Sequence, residues 1–547
     1  MGLISRDTWQ DREGGSVGLD VRVRAWEQAP DVPVARGREG GAEHLDPQGC
    51  RPAELQLWQK VERSREIEWQ RCPASTSARL HRRAVLAARS LPILPGRRVL
   101  EIGAGSGLWT AHLAAVLARQ NPLTAVTFNE DLARKAHSRR LPHATFIALN
   151  DFESILASES FDYVVGSDIL DGRLFPAILD MARRWLNPGG QFIFFAPNPM
   201  GLPALFRRAL RLSSSRDVPA GWQGRAGVRG LCEAAADWGF TDAQIEFIEV
   251  LPALQSLAGR AMELILERSP MGRCFARSVC FRGYKAGAFR TEAATQVNLC
   301  THRQLFGAIS VVVPCHNEEA NIERLVRTLL GMYGDYIREI VIVDDNSTDG
   351  TAAVGASLAS VEPKVKLLKR NPPSGVGRAL RDGYAAATGK YILSVDCDFF
   401  VIASEFQGLF DAVADGYDGA IGSRFSPESA LVRYPLSKML CNRGYHLLLN
   451  LLLGMRVRDI SNNLKLYRAE ILKELDIEED HFAANVETGL KPLLKNCRIR
   501  ELPASWINRS ADMGNSSFRL LKVGPAYLRV LLRTALRFWC GDYSTCG

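Results

Sequence analysis

A strand-then-helix alternation that starts, stops and starts again constrains the fold of this chain more than any other feature. Residues 98–102 (RVLEI) read as a buried strand that turns through glycines into a helix reaching Leu117. Strand patterns recur at 124–128, 161–165, 191–195 and 276–282, and then a polar, unpatterned stretch, 285–303, breaks the series. At Ala308 the series restarts, with strands at 309–313, 340–343, 364–369 and 391–395 and helices at 320–330 and 377–387. Such alternation predicts a largely parallel sheet with helices on both faces. Two series predict two α/β, Rossmann-like domains, and 547 residues are indeed too many for one hydrophobic core. The expected organisation is a polar tail over residues 1–52, a first domain over 53–290 that opens with helical patterning up to Leu91, a linker over 291–305, and a second domain over 306–547.

Composition excludes several classes of protein. Twelve cysteines spread over this length show no C-x-x-C pair, which points to reduced thiols rather than a disulfide framework. The first ten residues have no apolar core of a signal segment, and no run reaches the eighteen or so apolar residues that cross a bilayer. The nearest candidate, 445–455, is interrupted by His446 and Asn450. A cytoplasmic protein is expected, with room for peripheral contact at the membrane face. The net charge of +8 suits nucleotides, lipid phosphates or a membrane surface, and no nucleic-acid partner is expected.

In the first series, Val99-Leu100-Glu101-Ile102-Gly103-Ala104-Gly105-Ser106-Gly107 joins a strand to a helix through glycines. Glycines there let a ligand approach the backbone and expose amides at a positive helix end. A dinucleotide fingerprint would have glycine at Leu108, and Glu101 stands two places before the first glycine. The stretch therefore resembles the first motif of class I S-adenosylmethionine (SAM) dependent methyltransferases. Asn150-Asp151-Phe152, 161–165 (FDYVV) and 186–190 (LNPGG) resemble the later motifs of that family. The resemblance implies a doubly wound sheet and a SAM site formed by Glu101, Gly103, Gly105, Gly107, Asp151 and Phe152. A ribose-binding carboxylate is expected at the end of the second strand. Thr127 stands there instead, which leaves Glu130 in the following turn as the candidate substitute. A scaffold that binds no cofactor and a nicotinamide oxidoreductase are the competing readings, the second opposed by Leu108 and Glu101.

The second series carries four motifs in order: 311–319 (VVVPCHNEE), 341–351 (VIVDDNSTDGT), the glycine turn 375–380 (GVGRAL) and 391–398 (YILSVDCD). Carboxylates at the carboxyl ends of parallel strands face the crevice where open α/β sheets bind ligands. A sugar nucleotide presents a diphosphate, which a hard divalent cation neutralises, and such a cation takes carboxylate oxygens. Asp396 and Asp398, one residue apart behind a buried strand, have that chemistry.

Together these motifs resemble the family 2 glycosyltransferases of the GT-A fold. Residues 421–425 (IGSRF) and 459–468 (DISNNLKLYR) extend the likeness to dolichol-phosphate mannosyltransferases and related polyprenyl-phosphate enzymes. The resemblance implies that Pro314, His316, Glu318, Asp344, Asp345 and Asp396 surround a GDP- or UDP-sugar. It implies that Asp396 and Asp398 hold magnesium or manganese, that Arg424 lies near the phosphates and that transfer inverts the anomeric centre. Two residues depart from the pattern: Phe400 replaces a metal-binding glutamine, and Asn463 replaces a glycine, where a residue tolerant of left-handed backbone preserves the turn.

A sugar hydroxyl acceptor requires a carboxylate base, for which Glu487 in Asn485-Val486-Glu487 is the candidate. A lipid phosphate is already ionised and requires cations instead, and Arg424, Arg433, Lys438, Arg443 and Arg509 favour it. The segment 518–539 places Arg529, Arg533 and Arg537 on one helix face among leucines, the pattern of an interfacial membrane helix or of one packed on its own domain. The expected protein is bifunctional: a glycosyltransferase acting on a polyprenyl phosphate or glycan, fused to a methyltransferase of unspecified acceptor.

Overall fold

The computed structural model describes residues 52–71, 73–91, 93, 95–117, 121–148, 160–169, 174–198, 201–202, 227–250, 266–267, 272–286, 297–426, 428–432, 434–509 and 520–543. The expected tail, the candidate residues Asp151 and Phe152, and Arg433 lie outside them. Helices α1 (Pro52–Arg71) and α2 (Pro73–Ser90) precede a sheet built from β1 (Val99–Ile102), β2 (Leu123–Thr127), β3 (Ala144–Ala148), β4 (Phe161–Ser167), β5 (Leu186–Pro197), β6 (Phe240–Ile248) and β7 (Ser278–Lys285). Its order is β3-β2-β1-β4-β5-β7-β6. The first five strands run parallel, and β7 runs antiparallel to both of its neighbours. Strands β1 and β4 are buried at every position, as expected where helices cover both faces. Helices α3 (Leu108–Val116), α4 (Glu130–Ser138), α5 (Phe175–Trp185) and α6 (Gly227–Asp237) belong to this half.

The second sheet contains β8 (Ile309–Cys315), β9 (Ile337–Asp344), β10 (Val365–Lys369), β11 (Tyr391–Ser394), β12 (Gly419–Ser423), β14 (Lys465–Arg468) and β15 (Ile499–Pro503), ordered β10-β9-β8-β11-β14-β12-β15. Strand β14 is antiparallel to β11 and β12, so the sheet is mixed. A short ribbon pairs β13 (Leu431–Val432) with β16 (Trp506–Ile507). The longer helices are α7 (Ile322–Tyr333), α8 (Thr351–Val361), α9 (Val376–Ala386), α10 (Gln407–Ala414), α11 (Leu436–Leu453), α12 (Ala484–Leu494) and α13 (Leu520–Trp539). The two-sheet α/β expectation holds.

In each sheet the chain winds outward one way and then returns past its first strand, so a topological switch lies between β1 and β4 and again between β8 and β11. Ligands of open α/β sheets bind outside the carboxyl ends of the strands at such a switch. The glycine motif follows β1, and the Asp396–Asp398 motif follows β11.

Candidate functional site

The loops at the second switch line a cavity of about 460 Å³. Strand β8 and the turn after it contribute Pro314, Cys315, His316 and Glu318, Asp345 follows β9, and Asp396, Cys397 and Asp398 follow β11. The facing wall comes from β12, α11 and α13, with Arg424, Lys438, Tyr445 and Tyr527. Of the expected nucleotide-site residues, Asp344 is the one that does not reach the lining: it is buried and accepts from Ser347 N at 3.2 Å. Asp345 does reach it, fixed by Gly375 N at 2.6 Å and by Arg370. His316 Nδ1 lies 2.9 Å from Asp345 O, tying the ends of β8 and β9 together.

Asp396 accepts from Asn463 Nδ2 at 2.8 Å. Burial, then the charge of Asp398, raises its carboxyl above the usual carboxylate range, to about 6. Asp398 pairs with Arg509 Nε at 2.8 Å, and Arg509 Nη2 reaches Glu318 at 2.6 Å. One guanidinium therefore spans two carboxylates that face the cavity. Burial also raises Glu318 above the usual carboxylate range, against the pull of Arg509. Cys315 and Cys397 meet beneath this cluster with sulfurs 3.2 Å apart.

Arg424 is held by Asp459 through Nε at 2.6 Å and Nη2 at 3.0 Å, donates to Ser461 Oγ at 2.8 Å, and lies over the Trp506 ring. Asp459 is fully buried, and this pairing holds its carboxyl far below the usual range. Lys438, half-buried, is shifted down by burial and by the charge of Arg424.

Glu487 is the correction. It does not line the cavity: it is fully buried, accepts from Glu479 N at 2.8 Å, and pairs with Lys491 at 2.8 Å and Arg533 at 2.9 Å. A carboxylate whose charge is spent holding α12 to α13 is not placed as a base. Asn463 is a second correction: it is not among the residues with positive φ, so it serves by its side-chain amide rather than by a left-handed turn. Arg533 and Arg537 also depart from a solvent-facing stripe, since both pair with Glu478. Sequence reasoning missed Lys465, buried on β14, shifted down to about 7 by burial and donating to Asn485 O at 2.7 Å. Its place in a half-apolar run, Leu464-Lys465-Leu466, was the available signal.

At the first switch, Gly103, Gly105 and Gly107 all have positive φ, the backbone that the glycine motif requires. Glu101 is buried beneath them, and burial raises it to about 7. Glu130 is exposed in the first turn of α4 and does not supply the missing carboxylate. The carboxylate that reaches the end of β2 is instead Glu62 of α1, which accepts from Phe128 N at 3.0 Å and Thr127 Oγ1 at 3.2 Å. The same helix fills the space over the glycines: a Cβ on Gly105 would meet Arg65 Nη2 at 2.5 Å and Glu66 Oε1 at 2.7 Å. Side chains of α1 thus occupy the space beside Gly105 that a ligand approaching this turn would share.

Residues 310–476 match the family model described as glycosyl transferase family 2, and residues 99–190 match that of a methyltransferase domain. A polyprenol monophosphomannose synthase of Mycolicibacterium smegmatis is 26% identical over 219 residues, covering 38% of this chain and 80% of that protein. An undecaprenyl-phosphate mannosyltransferase of Micrococcus luteus is 28% identical over 230 residues, covering 41% of this chain and 92% of that protein. Among solved structures, glucosyl-3-phosphoglycerate synthase from Mycobacterium tuberculosis aligns at 17% identity and a TM-score of 0.35, over 43% of this chain and 85% of that one. The first half of the chain is thus similar to a methyltransferase domain, and the second to family 2 glycosyltransferases, polyprenyl-phosphate mannosyltransferases among them.

Proposed function

We propose that the second half transfers a sugar from a nucleotide sugar to a polyprenyl phosphate at a membrane surface. The observation that carries this reading is the make-up of one cavity, in which Asp396 and Asp398 confront Arg509, Arg424 and Lys438 while Glu487 is absent from the lining. The donor's nucleoside lies against Pro314, His316 and Asp345, and its diphosphate faces Asp396 and Asp398. Two carboxylates, one of them with its charge disfavoured by burial and by the other, fit a divalent cation. Held there, such a cation neutralises charge on the departing diphosphate.

The residues themselves do the positioning. Asp459 and Trp506 fix Arg424 from behind, so its guanidinium meets phosphate oxygens without losing much side-chain entropy. Arg509 is already balanced between Glu318 and Asp398 and adds a second cation near the same place. An ionised lipid phosphate attacks without a base, so the loss of Glu487 from the site costs this reaction nothing. A glycan hydroxyl would need a free carboxylate; Glu318 and Asp345 are engaged by arginine, and Asp396 and Asp398 are committed to the cation in this reading.

The same walls support membrane contact. Among the described residues no helix is long and apolar enough to cross a membrane. Helices α11 and α13 nevertheless expose Leu440, Leu447 and Leu451, and Leu528, Leu532 and Leu536. Both helices also line the cavity, through Tyr445 and Tyr527, whose rings meet edge-on at 5.7 Å. An acceptor whose tail stays in lipid enters from that side.

The test is a screen of GDP- and UDP-sugars with magnesium or manganese, with and without a short polyprenyl phosphate, reading label that partitions into organic solvent. Lipid-dependent product is expected, reduced about a hundredfold or more in Asp398→Asn with the melting temperature retained. Full transfer by that variant, or donor turnover indifferent to the lipid phosphate, overturns the reading.

A further inference from the structure

The ligand crevice of the first domain is bounded by three loops, those after β1, β2 and β4, and one stripe of α1 touches all three. Trp58 stacks on Phe128 with ring centroids 4.1 Å apart and planes 12° from parallel. One turn on, Glu62 binds the backbone amide of Phe128 and the hydroxyl of Thr127. Arg65 Nη1 donates to Ser167 O at 2.9 Å, at the end of β4. Glu66 accepts from Ser106 N at 3.0 Å and Ser106 Oγ at 2.8 Å, inside the glycine turn. Trp69 Nε1 reaches Asp168 at 3.2 Å. The spacing of four, three, one and three residues puts all five on one face of the helix.

We propose that α1 is a tethered competitor for the nucleoside-ligand crevice of the methyltransferase domain, so that SAM enters only when this helix withdraws. The chemistry of the stripe is that of the ligand it displaces: a flat ring on an aromatic partner, a carboxylate on the exposed amides of a glycine turn, and a cation between them. Stacking, anion binding at a helix start and cation contact at a strand-end carbonyl are what that crevice offers any occupant. A helix that satisfies these groups leaves no room for a second occupant.

The seat is also imperfect, as a displaceable one must be. Arg65 Nε and Nη2 are buried without a hydrogen-bond partner. Buried donors left unmade cost free energy that an incoming ligand relieves. Glu62 and Glu101 are both enclosed with one guanidinium, Arg65, and burial disfavours the charge on each. The glycines keep the positive-φ backbone suited to close ligand approach, although side chains now occupy it.

Calorimetric titration of the full chain with SAM and with S-adenosylhomocysteine tests this, comparing wild type, Glu62→Ala/Glu66→Ala and the exposed control Glu68→Ala. The double variant is expected to bind at least about tenfold more tightly than wild type, and the control to match wild type. If Glu62 instead serves the ribose of a bound ligand, the double variant binds more weakly; that result, or equal binding in all three, overturns the proposal. Should the double variant fail to fold, amide exchange in wild type with millimolar S-adenosylhomocysteine decides. Faster exchange across residues 58–69 with the strands still protected supports displacement, and unchanged or slower exchange there rejects it. Neither readout depends on sugar transfer, so a failed glycosyltransferase assay has no bearing on it.

Discussion

Asn463 satisfies two buried partners at once. It accepts from Ser394 Oγ at 2.8 Å and donates to Asp396 Oδ1 at 2.8 Å, which fixes the first aspartate of the metal-candidate pair within the cavity wall. Replacing it by glycine removes both contacts and leaves a buried hydroxyl and a buried carboxylate short of partners, at a cost of about 1–3 kcal/mol. Asn463→Gly should therefore lower the melting temperature and reduce transfer about tenfold through kcat, measured by steady-state kinetics at saturating donor. A drop in stability alone would leave Asp396 positioned by other means. Glu62 makes a different kind of prediction. Burial, opposed by Arg65, raises it from 4.5 to about 7, a difference worth roughly 3 kcal/mol between its protonated and ionised forms. A raised pKa in the seated state means that the seat is firmest below about 4.5 and weakens as pH rises through about 7. The charged groups facing Glu62 are Arg65 on its own helix and Glu101 from β1, and Glu101 in turn faces Glu66. Amide exchange in α1 should accordingly be faster at pH 8 than at pH 5.5. Glu62→Gln should flatten that dependence without abolishing it, because Glu101 titrates in the same window.

Elements were legible where the physics is local. Strands β1, β4, β8, β9 and β11 were recoverable because continuous apolar runs between turn residues have few alternatives in a parallel sheet. Strand β6 was not, since FTDAQIEFI alternates neither in polarity nor in burial. The glycine turn and the Asp396–Asp398 pair were visible because their residues are contiguous. Arg509, 111 positions beyond Asp398, was visible as a basic residue but not as that aspartate's partner. Helix α1 was foreseen as a helix and missed as an occupant, because a stripe of Trp58, Glu62, Arg65, Glu66 and Trp69 looks solvated until a crevice is placed against it. Helix α13 packs on its own domain, one of the two characters expected of it, and keeps an exposed leucine face. Val530, Leu531 and Ala535 pack inward, Arg533 and Arg537 pair with Glu478, and Leu528, Leu532 and Leu536 remain exposed. Exposed leucines contribute little to folding, so Leu532→Glu/Leu536→Glu should leave the melting temperature within about 1 kcal/mol equivalent of wild type. The same variant should lose most sedimentation with anionic vesicles; unchanged sedimentation would remove these leucines from the membrane contact.

The whole molecule repeats one architectural idea with opposite outcomes. Both sheets switch direction beside their first strand, and both switches collect carboxylates and arginines at the strand ends. At the second switch the arginine spanning the carboxylates leaves a cavity in front of it, whereas at the first the arginine arrives on a helix that fills the crevice. The link between the halves is thin at Arg89, at the end of α2, whose guanidinium lies 3.7 Å from Glu405 and 3.7 Å from Glu428. These separations exceed hydrogen-bonding distance, and pairs so loose and partly exposed contribute at most about 1 kcal/mol. Energetic coupling between two sites needs an element whose two arrangements both sites bias, and a pair this weak does not supply one. Arg89→Ala should therefore leave the SAM titration, the pH dependence of exchange in α1 and lipid-dependent sugar transfer all at wild-type values. The three measurements are made on one preparation. A change in transfer on adding S-adenosylhomocysteine to wild type, abolished by Arg89→Ala, would show instead that displacing α1 is felt at the glycosyltransferase cavity through this contact.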